Sequence, residues 1–134
     1  MLGVQRYKGT WVLDSGCSKH MTGDKSWFNS FCPKEKGSVT FGDNGKGKIL
    51  GIGSIGMYPN PIIENVLLVK GLKHNLLSIS QLCDKGNQVI FESSMCHIKN
   101  IESKEVLFVG HRFENVYIVQ LESISLDNIK YFSA

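Results

Sequence analysis

The residues best suited to chemistry stand near the start of the chain, in Trp11-Val12-Leu13-Asp14-Ser15-Gly16. Three apolar residues led by Trp and Val favour an extended run, and Ser15-Gly16 ends it where a small residue lets neighbouring backbone come close. One carboxylate, Asp14, is thereby set on a tight turn at the end of a buried strand. A carboxylate so placed can hold a water molecule and take its proton, the first half of a hydrolytic reaction. The plainer reading is a surface turn in which Asp and Ser bond their own backbone, so the triplet alone assigns no activity.

Other suggestive spacings carry less. Cys17-x-x-His20 and Cys96-His97 contain the residue types of zinc ligands, but structural zinc is usually held by two close ligand pairs at regular spacing. Cys17 reads better as packing beside the Asp14 turn, and His97 as a solvent-facing member of an alternating strand. Gly42-Asp43-Asn44-Gly45-Lys46-Gly47-Lys48 nearly matches a phosphate-binding loop, yet Ile49 stands where a hydroxyl should hold Mg²⁺. Gly51-Ile52-Gly53-Ser54-Ile55-Gly56 matches the dinucleotide fingerprint letter for letter. That fingerprint needs a strand turning into a helix, and Tyr58-Pro59-Asn60-Pro61 is incompatible with a helix there. No metal and no cofactor are expected.

The elements that must position Asp14 belong to one domain, because 134 residues suffice for one core and not for two. The 15 basic residues are scattered among 12 acidic ones with no dense block, and a net charge of +3 does not point to nucleic acid. Lys46 and Lys48 come nearest to a patch and read as solubilising an exposed hairpin. No apolar run approaches the roughly 20 residues of a membrane span, and Met1-Leu2-Gly3-Val4-Gln5-Arg6 lacks the apolar core of a signal peptide. A cytosolic or particle-enclosed location without a membrane partner is expected. The irregular spacing of Cys17, Cys32, Cys83 and Cys96 reads as reduced thiols.

Along the chain, Asp24 as an N-cap followed by Trp27, Phe28 and Phe31, with Phe31 four residues after Trp27 and three after Phe28, predicts a short helix ended by Pro33. Ser38-Val39-Thr40-Phe41 predicts a strand, Asp43-Asn44-Gly45 a reversal, and Lys48 to Met57 a returning strand in which apolar residues alternate with glycine. Ile62-Ile63 with Val66-Leu67-Leu68-Val69 predicts a strand buried on both faces. Asn75-Leu76-Leu77-Ser78 predicts another, packed behind the Asp14 turn. Ser78 with Gln81 fits a capping box for a helix that stops at Gly86. Four strand candidates follow at regular spacing: Gln88 to Phe91, Cys96 to Lys99, Val106 to Val109 and Val116 to Leu121. The total is about eight short strands and two short helices, an all-β pattern. These 134 residues hold no internal repeat and no second Asp-Ser-Gly, whereas a pepsin-like enzyme folded from one chain would carry a second such triplet.

The order of Asp-Ser-Gly, a glycine-rich hairpin, then an apolar pair and a short helix resembles the retroviral-type aspartic proteases. More narrowly, Leu13 to Gly23 (Leu-Asp-Ser-Gly-Cys-Ser-Lys-His-Met-Thr-Gly), Val66 to Leu72 and Asn75 to Leu82 resemble the protease region of copia-type retrotransposon polyproteins, over roughly Trp11 to Leu121. The resemblance implies a retropepsin-like closed β-barrel, the acid protease fold, with one or two short helices and one lobe per chain. Residues 1–10 would be a leader or dimer-contact segment, 11–121 the protease domain, and 122–134 a tail or a junction to the next polyprotein module. It also implies an aspartic endopeptidase active as a homodimer on peptide segments of its own Gag-Pol polyprotein, inside a virus-like particle. Asp14, Ser15 and Gly16 would be catalytic, and Cys17, Ser18, Gly42, Asp43, Asn44, Gly45, Leu76, Leu77 and Ser78 would line the substrate. The flap over the substrate would be tipped at Gly42 to Gly47 or, alternatively, at Gly51 to Gly56. Ser78 stands where the wider class has glycine, and Cys17-Ser18 replace its acidic and hydroxyl residues after the turn. The competing reading is an inactive dimerisation or binding module of a decayed or co-opted element.

Overall fold

A computed structural model describes residues 9–35, 37–41 and 45–121. The expected leader up to residue 8, the tail from Glu122 and the hairpin tip Gly42-Asp43-Asn44 lie outside the described residues. Eleven strands join one sheet: β1 (Thr10–Asp14), β2 (His20–Thr22), β3 (Phe28–Pro33), β4 (Ser38–Phe41), β5 (Gly45–Ile55), β6 (Ile63–Val69), β7 (Asn75–Ser78), β8 (Asn87–Phe91), β9 (Met95–Asn100), β10 (Val106–Phe113) and β11 (Val116–Gln120). The single α-helix among the described residues, α1, spans Ile79–Asp84. The expected all-β class is what the chain adopts.

The hydrogen-bonded path runs β3-β5-β6-β2-β7-β1-β11-β10-β9-β8, with β4 attached to β5 alone. Its two ends, β3 and β8, do not pair with one another, so the sheet is unclosed. β1 lies in the middle of this path, parallel to β7 and antiparallel to β11. Neighbours on both sides satisfy the edges of β1, and successive side chains go to opposite faces, Trp11 and Leu13 to one and Val12 and then Asp14 to the other.

The alternation divides the interior in two. Trp11, Leu13, Leu77 and Val119 join one apolar cluster with Trp27, Ile55, Ile63, Val66, Leu82, Cys96 and Ile98. The rings of Trp11 and Trp27 meet edge to face with centroids 5.4 Å apart. Cys17, Met21, Ile49, Leu67, Val69 and Leu76 form the second cluster, and Val12, Val39 and Phe41 pack against it. By period two, Asp14 leaves β1 on the Val12 face, the face of this second cluster. The β4–β5 hairpin covers the same cluster through Val39 and Phe41.

The helix expected after Asp24 is not formed beyond one 3-10 turn, Lys25–Trp27. Asp24 does cap it, with Oδ1 accepting from the Ser26 amide at 2.9 Å and from the Ser26 hydroxyl at 2.7 Å. The chain then becomes β3, pairing with β5 from Phe28 opposite Ile55 to Pro33 opposite Gly51. The reason lies on the partner strand. A Cβ at Gly51 would press into the Phe31 ring and come within 2.6 Å of the Cys32 carbonyl oxygen, and one at Gly53 would meet the Ser30 carbonyl. The glycines of β5 thus leave the room that β3 and its aromatic rings fill, and sheet pairing overrides the local helical spacing. The glycine run that matched the dinucleotide fingerprint is interior to β5 up to Ile55 and enters no helix.

Gly51→Ala is therefore expected to destabilise the chain by about 1–3 kcal/mol, the cost of forcing an extra carbon into filled space. Urea unfolding of the two proteins at one concentration checks this. A midpoint unchanged by the substitution would mean that β3 does not sit tightly on β5.

Candidate active site

Asp14 ends β1, and its register partner across the parallel ladder is Ser78, the last residue of β7. The carboxylate is half-buried, while Ser15 and Gly16 beside it are exposed. Asp14 Oδ1 accepts the Gly16 amide at 2.7 Å, the side-chain-to-backbone bond that closes the turn. A Cβ at position 16 would stand 3.1 Å from that oxygen, so glycine lets the amide reach the acid. No lysine, arginine or histidine forms an ion pair with Asp14 among the described residues; the one such pair joins Lys48 to Glu35 at the surface. Among the described residues the acid is fixed through one oxygen and has no countercharge.

The structure brings several of the expected site residues together and separates their roles. Cys17 follows the turn and is buried in the second cluster, with its thiol 3.7 Å from the Asp14 carbonyl oxygen. Burial, and secondly the Asp14 charge, push that thiol up to about 11, so it stays a neutral packing group. Ser18 is exposed next to it. Leu76, Leu77 and Ser78 are buried, the last two with no exposed surface, so they back the turn from the interior. Gly45 stands half-buried at the foot of the hairpin, beside Phe41.

Behind the turn lies a polar network that sequence reasoning missed. His20, on β2, is buried, and its Nδ1 accepts the Ser78 amide at 2.9 Å. The Ser78 hydroxyl donates to the Cys17 carbonyl at 2.8 Å and accepts from the Gln81 amide at 3.2 Å. Gln81, on α1, accepts the His20 amide on Oε1 at 2.8 Å. Its Nε2 donates to the carbonyls of Glu64 and Asn65, at 3.2 and 3.1 Å. Those two residues form a bulge in β6, where the register with β5 shifts and Asn65 takes φ 58°. The bulge turns two carbonyls toward the glutamine amide.

A sequence signal for this network exists but points elsewhere. Ser78 and Gln81 have capping-box spacing, and the Ser78 half of that box forms. The Gln81 side chain does not return to the Ser78 amide, because His20 occupies that donor and Gln81 reaches across to β2 and β6 instead. A second bridge of the same kind ties the start of the parallel pair. Asn75 donates to the Thr10 carbonyl at 3.1 Å and accepts the Thr22 hydroxyl at 2.6 Å. In the sequence, His20 stands out only as half of a Cys-x-x-His zinc pair. Among the described residues no three His, Cys, Asp or Glu side chains gather to hold a metal ion.

Over residues 11–87, more than half of the chain, the sequence matches the family model described as Pol polyprotein, beta-barrel domain. The chain belongs to that family. No curated protein and no solved structure matches it. This Pol polyprotein beta-barrel domain is thus part of a retroelement polyprotein, and the matched span runs from β1 to the start of β8. It contains the Asp14 turn, the hairpin and every residue of the polar network.

Burial, and then the Lys19 charge, lower the His20 pKa from 6.5 to about 4. Between those two values the unfolded chain binds a proton that the folded one refuses. The part of the stability of the Pol beta-barrel domain that depends on His20 therefore falls as the pH drops from 6.5 toward 4 and levels off below. The integrated loss is about 3 kcal/mol. Urea titrations at pH 7 and 4.5, on the wild type and on His20→Asn, should show a loss about 2–3 kcal/mol larger in the wild type. Equal losses would place the acid sensitivity elsewhere.

Proposed function

We propose that this domain is an aspartic endopeptidase that processes the polyprotein of a copia-type retroelement, acting as a homodimer with one Asp14 from each chain. The observation that carries the reading is the state of Asp14. It is a half-buried carboxylate on a strand flanked on both sides, bonded through one oxygen, free of a countercharge among the described residues, and on the sheet face that the β4–β5 hairpin covers.

Amide hydrolysis by carboxylates takes two of them. One, ionised, removes a proton from a shared water as its oxygen attacks the scissile carbonyl carbon; the other, protonated, gives its proton to the carbonyl oxygen. Collapse of the tetrahedral intermediate breaks the C–N bond as the amine takes a proton from one acid and a hydroxyl of the intermediate returns a proton to the other, leaving the new carboxyl and the pair with its single proton. One chain supplies one such acid, so the second comes from a two-fold partner presenting the same turn. Two carboxylates about 3 Å apart share a proton and titrate as a unit. In this dimer each chain supplies one lobe of the retropepsin-like fold. The exposed Ser15 hydroxyl bonds across to the partner turn, Gly16 admits the close approach, Ser18 meets the substrate backbone, and the hairpin tipped at Gly42 to Gly47 closes as the flap.

Fragments of a peptide library incubated with the purified chain at pH 4 to 6, read by mass spectrometry beside sedimentation, test the proposal. Cleavage by a dimer, blocked by a pepstatin-type inhibitor and lowered at least about a hundredfold in Asp14→Asn, is expected. Cutting that survives Asp14→Asn would refute it. A wild-type dimer that cuts nothing would instead favour the inactive dimerisation module.

A further inference from the structure

The Asp14 turn is held from behind by an imidazole. Ser78 pairs with Asp14 across the parallel ladder, and its amide goes to His20 Nδ1 at 2.9 Å. The Ser78 hydroxyl then bonds the carbonyl of Cys17 at 2.8 Å, within the turn that bears the acid. His20 is itself pinned at its own amide by Gln81, and Gln81 by the two carbonyls of the β6 bulge. Resting on the reading of Asp14 as the catalytic acid, we propose that His20 is a positioning residue: the lone pair on Nδ1 of its neutral ring holds the Ser78 amide, and through Ser78 it sets how the Asp14 turn is presented.

The argument is one of donors and acceptors. Ser78 is completely buried, so its amide needs an acceptor inside the protein. A ring that accepts on Nδ1 must carry its proton on Nε2, and a protonated ring would set a second donor against the Ser78 amide. The surroundings favour the neutral form. His20 pairs with Val66 on β6, the neighbouring β7 residues are Leu76 and Ser78, and α1 contributes the uncharged Gln81. The charged group beside it is the cation Lys19, which also disfavours a charged imidazole, and Cys17 is a neutral thiol. Asparagine can place an acceptor oxygen near the Nδ1 position; leucine fills similar space and offers none.

The test uses the whole chain and, for activity, the library peptide that the wild type cuts fastest. His20→Leu is expected to lose about tenfold to hundredfold in kcat with KM changed less than about threefold, and His20→Asn to recover most of it. A loss of folded protein would lower apparent kcat and leave KM unchanged, so rates are referred to active sites titrated with the pepstatin-type inhibitor. Independently of cleavage, nitrogen-15 spectra of the wild type at pH 7 should show Nε2 protonated and Nδ1 bare. Amide exchange at Ser78 and Gly16 should quicken about tenfold in His20→Leu and not in His20→Asn. Full kcat in His20→Leu, or a proton on Nδ1 in the wild type, overturns the proposal. If the wild type cuts no peptide, the protease reading fails by itself, and the tautomer and exchange results still decide whether His20 holds the turn.

Discussion

A parallel strand pair that ends inside a protein leaves amides and carbonyls with no further ladder to join, and each needs a partner. In this chain the pair is β1 with β7, and the end in question is Asp14 opposite Ser78. The solution is made of side chains: His20 takes the Ser78 amide, Ser78 takes the Cys17 carbonyl, and Gln81, on α1, ties β2 to the bulge in β6. Buried polar groups satisfied in this way cost little, while any member left without its partner costs about 1–3 kcal/mol. The orientation of the acid is therefore coupled to the stability of the domain interior.

The strands beyond the family match are part of the same arrangement. β11 lies next to β1 on the side away from β7, with Trp11 opposite Val119 and Val12 opposite Ile118. Without β11, β1 would be an edge strand, and the row of backbone groups beside Trp11 would be unpaired. β10, β9 and β8 then extend the sheet by successive antiparallel pairings. The segment after residue 87 thus completes the setting of a residue near the start of the chain, joining positions distant in sequence.

Much of this is legible in the sequence where local chemistry and tertiary demand agree. β4, β6, β7 and β8 to β11 follow alternation and turn residues, and α1 starts at the Ser78 cap and ends where Gly86, at φ 89°, accepts the reversal. Legibility fails where a distant partner decides. Asp24 to Phe31 has helical spacing, but the glycines of β5 offer a bed for extended backbone and rings, and pairing with β5 wins. β2 is three residues long, too short for any periodicity, and its one β-branched residue, Thr22, is too little to announce a strand. His20 is unreadable for the same reason: nothing local shows that an imidazole after Lys19 will meet a serine amide 58 residues on. Closure of the sheet is likewise a matter of which edges meet, and β3 and β8 do not.

The placement of the polar groups also shows what Ser78 does that glycine could not. Glycine behind the acid would let backbone approach closely but could donate only its amide. Serine keeps that amide, which goes to His20, and adds a hydroxyl that reaches the Cys17 carbonyl on one side and the Gln81 amide on the other. A serine at this position and an imidazole at position 20 are thus two halves of one device. Replacing Ser78 by glycine alone would leave the Cys17 carbonyl and the Gln81 amide without their shared partner.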